Sequence, residues 1–175
     1  KSLGPFGFST SSWEIFTPTG VRSSETELLI CGTAGEKSAC LAVQSNAEGF
    51  RLLLSDRACQ EMEPLPAVLS AGNTAFAVDG NGCFSLLENG LALLRGQKFE
   101  LLTDGSKVQA VRFTLDAEES DHFYGFGMKY DSLDQRGKAV DTYCVNWYKD
   151  QRGETYTPVP YYFVPNRYGL FVDST

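Results

Sequence analysis

The chain has 175 residues, 42% of them hydrophobic, enough to bury an ordinary core and make one domain. Fifteen basic residues stand against 22 acidic ones for a net charge of -7, and no Lys/Arg cluster exceeds two neighbours. The positive field that draws in nucleic acid or an anionic membrane is therefore missing, no apolar run approaches the roughly 20 residues that a bilayer demands, and a neutral ligand fits better.

The opening stretch "KSLGPFGFST" lacks the charged, apolar and small-residue zones of a signal peptide. It reads as a Gly/Ser/Thr-rich leader over residues 1–22, loosely held, in a cytoplasmic protein, or in an exported one if a signal was removed upstream. From about Ser23 the pattern changes. Short apolar or alternating runs of β-formers follow one another: "TELLIC", "ACLAVQS", "GFRLLLS", "TAFAVDG", "CFSLL", "LALLR", "KFELLT" and "VQAVRFTLD". In the last of these, Val111, Phe113 and Leu115 fall on one face and Arg112 and Thr114 on the other, as a half-buried antiparallel strand requires. "DGNG" at Asp79–Gly82, "ENG" at Glu88–Gly90 and "TDGS" at Thr103–Ser106 supply the positive-φ residues of tight hairpins.

Strands recurring every eight to twelve residues or so, with no amphipathic helix of three turns, predict an all-β fold, a sandwich of two antiparallel sheets spanning 23–175. One short helical turn is expected before Pro64 in "ACQEMEPLPAVL", and further strands over Lys138–Tyr143 and Tyr161–Val172.

Cys31, Cys40, Cys59, Cys83 and Cys144 show no CxxC spacing, and His122 is the only histidine, so neither a metal site nor a cofactor is expected. "CGTAGEKSAC" either closes a Cys31–Cys40 disulfide across a hairpin or keeps two buried thiols. His122 has only Asp121 beside it, and neighbours on a strand point to opposite faces, so it reads as a structural or surface residue. Asp131 and Asp134 in "YDSLDQRGK" read as partners for Arg136 or Lys138 that brace a turn. No general acid and base pair is identifiable.

The dense patch of polar and aromatic residues lies towards the C-terminal end. A sugar ring offers an apolar C–H face bordered by hydroxyls, so a site for it combines an aromatic platform with carboxylate, amide or guanidinium groups. "YCVNWYKDQRGETY" holds both kinds in a hydrophilic stretch that reads as a long loop. Asn146 and Asp150 are the candidate hydroxyl partners, Trp147 the stacking wall, and Arg152 a further contact. Trp147 and Tyr148 fit a core or sheet surface equally well.

The run "FYGFGMKYDSLDQRGKAVDTY", a loop, and then "TPVPYYFVPNRYGLFVDST" resemble the end of the N-terminal, galactose mutarotase-like β-sandwich of glycoside hydrolase family 31, the α-glucosidase and α-xylosidase family. That family carries "YG(L/F)GE(K/R)(F/Y)D", an "RG" turn, a loop bearing tryptophan or asparagine, then "(I/V)PF(F/Y)" and "GYG(L/V)F(V/L)(D/N)". The matching residues are Tyr124, Gly125, Gly127, Lys129, Tyr130, Asp131, Arg136, Gly137, Pro160, Tyr161, Tyr168, Gly169, Phe171 and Asp173. Met128 stands where the family has glutamate, so its loop is braced in another way. "VNWYKDQ" replaces the plain "N-x-D" triplet.

The resemblance implies a non-catalytic domain packed on its own C-terminal (β/α)8 barrel, which holds both catalytic aspartates of a retaining mechanism. It also implies that the loop from Cys144 to Tyr156 lines the subsite for an α-linked oligosaccharide or glycoside. The chain alone would then be inactive. A stand-alone carbohydrate-binding sandwich is the alternative. A mutarotase or epimerase, which draws on histidine acids, is disfavoured by the single His122.

Overall fold

The computed structural model describes residues 12–47, 49–55, 60–104, 107–142, 144, 155 and 157–173. The chain divides into two compact units, Lys1–Asp116 and Ala117–Thr175. Among the described residues every regular element is a strand, and every strand pairing is antiparallel.

In the first unit the strands are β1 (Ser12–Ser23), β2 (Glu27–Ala34), β3 (Lys37–Asn46), β4 (Gly49–Ser55), β5 (Ala67–Ala71), β6 (Thr74–Val78), β7 (Phe84–Glu88), β8 (Leu91–Asp104) and β9 (Lys107–Leu115). They run in the order β4-β3-β2-β1-β8-β7-β6-β5, with β9 on β8. β1 belongs to both halves. Ser12–Ile15 pairs with β8, Phe16–Ser23 pairs with β2, and the register shifts between Pro18 and Gly20. Pro18 has no N–H to give to a ladder, and such a position is tolerated at a bulge. β5 packs across β1, β2 and β3, so two layers enclose Leu28, Ile30, Val43, Leu69, Phe76, Val78, Phe84, Phe99 and Leu101. This is the sandwich that the alternation predicts.

β2 is apolar at nearly every position because both its faces are covered. Leu28 and Ile30 enter the main core, whereas Leu29 and Cys31 pack with Cys40 and Ala42 on the other side. Cys31 and Cys40 stand opposite each other, their sulfurs 3.0 Å apart, but the bridge between them is not formed. Cys31 is held in another disulfide and Cys40 remains a thiol whose pKa burial pushes up. The spacing reported the proximity and not the bond.

Two of the three expected turns are where the composition puts them; the third, Thr103–Ser106, falls in part outside the described residues. Asn89 and Gly90 take φ of 50° and 82° between β7 and β8, and Asp79 Oδ1 accepts from the N–H groups of Asn81 and Cys83. "LALLR" and "KFELLT" are one strand, β8, which β1, β7 and β9 all use.

Three expectations need correction. β1 occupies residues 12–22 of the stretch read as a leader, and its Phe16 and Val21 are core residues; the leader's first eleven residues lie outside the described residues. No helical turn lies at residues 60–66; Glu63 exchanges backbone hydrogen bonds with Val21 instead, at 2.9 and 2.7 Å. No strand forms over residues 138–142.

The second unit is a three-stranded sheet of β10 (Tyr124–Gly127), β11 (Pro158–Val164) and β12 (Tyr168–Phe171), with β11 in the middle. Among the described residues its strands pair only with one another.

Candidate functional site

The second unit is built around β10. Gly125, Phe126 and Gly127 take φ of 119°, 65° and 91° in succession, and the pairing with β11 shifts register between Gly125 and Gly127. Such a run needs glycine on both sides of the one residue that carries a side chain. The bulge drops the Phe126 ring onto Tyr162, with centroids 5.1 Å apart and planes at 12°. Phe123 and Tyr168 close on the same ring at 5.9 and 6.0 Å. Burial, aided by the hydrogen bond with Tyr168, pushes the Tyr162 hydroxyl well above its ordinary pKa, so it stays neutral.

Directly after β10, Met128 is held by its main chain. Its N–H donates to Thr157 O at 3.2 Å, and its carbonyl accepts from Thr155 Oγ1. Thr155 is wholly buried, and it forms a parallel bridge with Cys144. At the position where the family motif has glutamate, the chain is therefore held by backbone and a threonine hydroxyl. The bridge also brings together the two residues that bracket 145–154. The four residues singled out as sugar contacts, Asn146, Trp147, Asp150 and Arg152, lie outside the described residues.

The turn from Asp131 to Lys138 is folded by its carboxylates. Asp131 accepts from Lys138 Nζ at 2.8 Å, Ser132 N at 2.8 Å and Gln135 Nε2 at 3.2 Å. Asp134 takes the Phe123 and Arg136 N–H groups on Oδ1 at 3.1 and 3.0 Å, and His122 Nδ1 on Oδ2 at 2.6 Å. Arg136 reaches back to the carbonyls of Glu118 and Asp121 at 2.8 and 2.5 Å. The "RG" turn is therefore bolted to the segment that enters β10. The reading of Asp131 and Lys138 as a turn brace holds, and His122 has the structural role expected of it. Its partner, however, is Asp134, twelve residues on, which strand alternation cannot report. Asp121 turns the other way, to Arg167. The described carboxylates of this unit's turn are committed to holding backbone, and none is arranged as an acid–base pair.

Asp131 titrates at about 2, because the hydrogen bond from Lys138, joined by Gln135 and Ser132 N–H, outweighs the opposing effect of burial. Its folded pKa lies below the unfolded value of about 3.9, so the stability it contributes is present above pH ~4 and is lost as pH falls towards 2. We expect its carboxyl to titrate near 2 by NMR, and Lys138→Met to move the midpoint back towards 4. A midpoint near 4 in the unsubstituted chain would show that the brace is not formed in solution.

Residues 34–175 match the family described as the glycosyl hydrolase 31 N-terminal galactose mutarotase-like domain. An isomaltosyltransferase from Sporosarcina globispora is 40% identical over 75 residues, 42% of this chain and 7% of the relative. A 1,3-alpha-isomaltosidase from Kribbella flavida is 41% identical over 64 residues, 35% of this chain and 9% of the relative. The matched stretch is thus less than a tenth of either relative's length. No solved structure matches. With four-fifths of its length matched, the chain belongs to the glycosyl hydrolase 31 N-terminal galactose mutarotase-like domain family.

Proposed function

We propose that this chain is the non-catalytic N-terminal domain of a longer retaining α-glycosidase, packed on a catalytic (β/α)8 barrel and lending the loop between Cys144 and Tyr156 to the sugar subsite. The family match over residues 34–175 is the observation that carries the reading. Both relatives are named for isomaltosyl chemistry, which supports an α-linked glucoside as the substrate class. One name is that of a transferase and the other that of a hydrolase, so the acceptor, a sugar or water, is set outside this domain. The nucleophile and the acid–base carboxyl are assigned to the barrel.

In the loop, Asp150 and Asn146 bond sugar hydroxyls, Trp147 stacks on the ring and Arg152 adds a contact. The stem supports this role: a loop that reaches for a ligand needs fixed ends, and the Cys144–Thr155 bridge together with Thr155 on Met128 O supplies them. In the full-length enzyme, Asp150→Ala is expected to lower kcat/KM at least tenfold, about 1.4 kcal/mol, with folding intact. Trp147→Ala acts more on KM, because stacking serves substrate and transition state alike. Unchanged kinetics in both variants would make the loop structural.

A further inference from the structure

The proposed function leaves unused one face of the sheet that β1, β8 and β9 build in the first unit. Phe99 and Leu101 of β8 enter the core. Successive residues of a strand alternate sides, so Lys98, Glu100 and Leu102 lie on the opposite face. The register sets Ile15, Glu100 and Arg112 in one row across the three strands, and Trp13, Leu102 and Ala110 in the next. This face therefore gathers an indole, a carboxylate and two cations.

Glu100 is the anomaly on it. The residue is 7% exposed, a depth at which a carboxylate ordinarily accepts hydrogen bonds. Here Lys98 Nζ stands 3.5 Å from Oε1 and Arg112 Nη1 3.6 Å from Oε2, distances that compensate charge without completing a hydrogen bond. Among the described residues no hydrogen bond reaches this carboxylate or leaves the side chain of either cation. Arg112 is held instead by Trp13, with its guanidinium carbon over the indole, 4.0 Å from the ring centroid. That stacking fixes the guanidinium beside Glu100 and keeps its N–H donors uncommitted. Trp13 and Ile15 stay open to solvent beside them, 37% and 56% exposed.

We propose that this cluster is a carbohydrate-binding site contained wholly in the first unit and additional to the subsite loop: Trp13 packs against the C–H groups of a sugar ring, Glu100 accepts from its hydroxyls and Arg112 donates to them. Those are the three kinds of group that a sugar calls for. An ionised carboxylate has about four acceptor positions, and two neighbouring hydroxyls would occupy two of them. The sugar thus brings the hydrogen bonds that the depth of Glu100 demands and that its neighbours do not provide. An anionic ligand is the weaker fit, because Glu100 offsets one of the two cations and would itself face the anion. That the glycan is an α-glucan rests on the proposed function.

The test is native electrophoresis of the full-length protein through gels containing dextran, a neutral α-linked glucan. The unsubstituted protein is expected to be retarded. Trp13→Ala should raise the dextran concentration needed for half retardation by about tenfold, with kcat/KM on a small α-glucoside unchanged. Arg112→Gln alters a side chain that is 50% exposed, so its fold is secure even where that of Trp13→Ala is not. It should weaken retardation by about threefold. Asp150→Ala, aimed at the subsite loop, should be retarded like the unsubstituted protein.

Free passage of the unsubstituted protein through dextran overturns the proposal. So does retardation that Arg112→Gln and a folded Trp13→Ala both leave unchanged, and so does retardation lost in Asp150→Ala alone, which would put the polymer on the loop. The readout is independent of turnover. A protein that is retarded through Trp13 but inactive on α-glucosides sinks the proposed function and keeps the site; an active protein that passes freely does the reverse.

Discussion

Gly127→Ala is expected to destabilise the three-stranded sheet by about 3 kcal/mol or more, because two separate penalties meet at one atom. The backbone at Gly127 has φ of 91°, where an L side chain is strained. The added methyl would also stand 2.0 Å from the carbonyl oxygen of Thr157 and 2.9 Å from the nitrogen of Val159. These are backbone atoms of β11 and its approach, and Thr157 O is already the acceptor for Met128 N–H. Relief therefore requires β10 to separate from β11, which loosens the main-chain brace on Met128 and with it the stem of the candidate loop.

Gly137→Ala is the matched comparison. Gly137 has φ of 72° and nothing within 4 Å of a new Cβ, so only the conformational cost remains, about 1 kcal/mol. Thermal unfolding followed by the near-ultraviolet signal of the tyrosines separates the two variants. Equal losses would mean that the close approach of β10 to β11 is not a constraint in solution.

The same contrast between local and non-local causes explains what the sequence discloses. In the first unit the strands are legible because each carries its own evidence. Val111 and Phe113 alternate with Arg112, β2 is apolar at nearly every position because it is covered twice, and Asn89-Gly90 can serve few turns but a tight hairpin. Residues 138–142 show the limit of that evidence. Ala139, Val140 and Thr142 suit a strand, yet a strand exists only where another backbone pairs with it, and no pairing forms there.

β10 is the reverse case. Two of its four residues are glycines and its backbone bulges, so composition argues against a strand that tertiary pairing nevertheless makes. The helical turn expected before Pro64 loses to the backbone bonds between Glu63 and Val21, 42 residues away in sequence, and no local pattern carries that information. The leader reading failed over residues 12–22 for a related reason. Ser12–Ser23 mixes Pro18 with Gly, Ser and Thr, which reads as turn, but Phe16 and Val21 have a core to enter. As for the candidate loop, its residue types suit many roles besides sugar binding; its place in a family came only from the flanking motifs, whose glycines and carboxylates hold the turn and the bulge described above.

Arg167→Met is expected to cost about 3 kcal/mol at pH 7, and the loss should shrink as the solution is acidified. Arg167 lies in the turn between β11 and β12, where its guanidinium bonds Asp121 and stands 3.6 Å from Glu118. Asp121 is only 4% exposed, so removing the cation leaves a carboxylate in the interior of the unit. It keeps the Glu118 N–H at 2.8 Å and the neighbouring charge of Arg136. Those remaining partners must then oppose burial alone.

The pH dependence follows from the balance at Asp121. Burial pushes its pKa up, but the hydrogen bonds from Arg167 and Glu118 N–H, with the charges of Arg167 and Arg136, outweigh it and the net shift is downward. In the unsubstituted chain the group therefore contributes stability above its unfolded pKa of about 3.9, and this is lost as pH falls through the lower folded value. Without Arg167 the balance moves towards burial and the folded pKa rises. Protonation then relieves the variant at a pH where the parent chain is beginning to lose its own contribution, and the two unfolding curves converge between pH 7 and 4. Arg167→Lys should fall between them, since a point charge cannot address Asp121 and Glu118 with one planar fork. A penalty that stays constant from pH 7 to 4 would assign the loss to packing of the Arg167 stem and remove the charge pair as the tie between the β11–β12 turn and the segment that leads into β10.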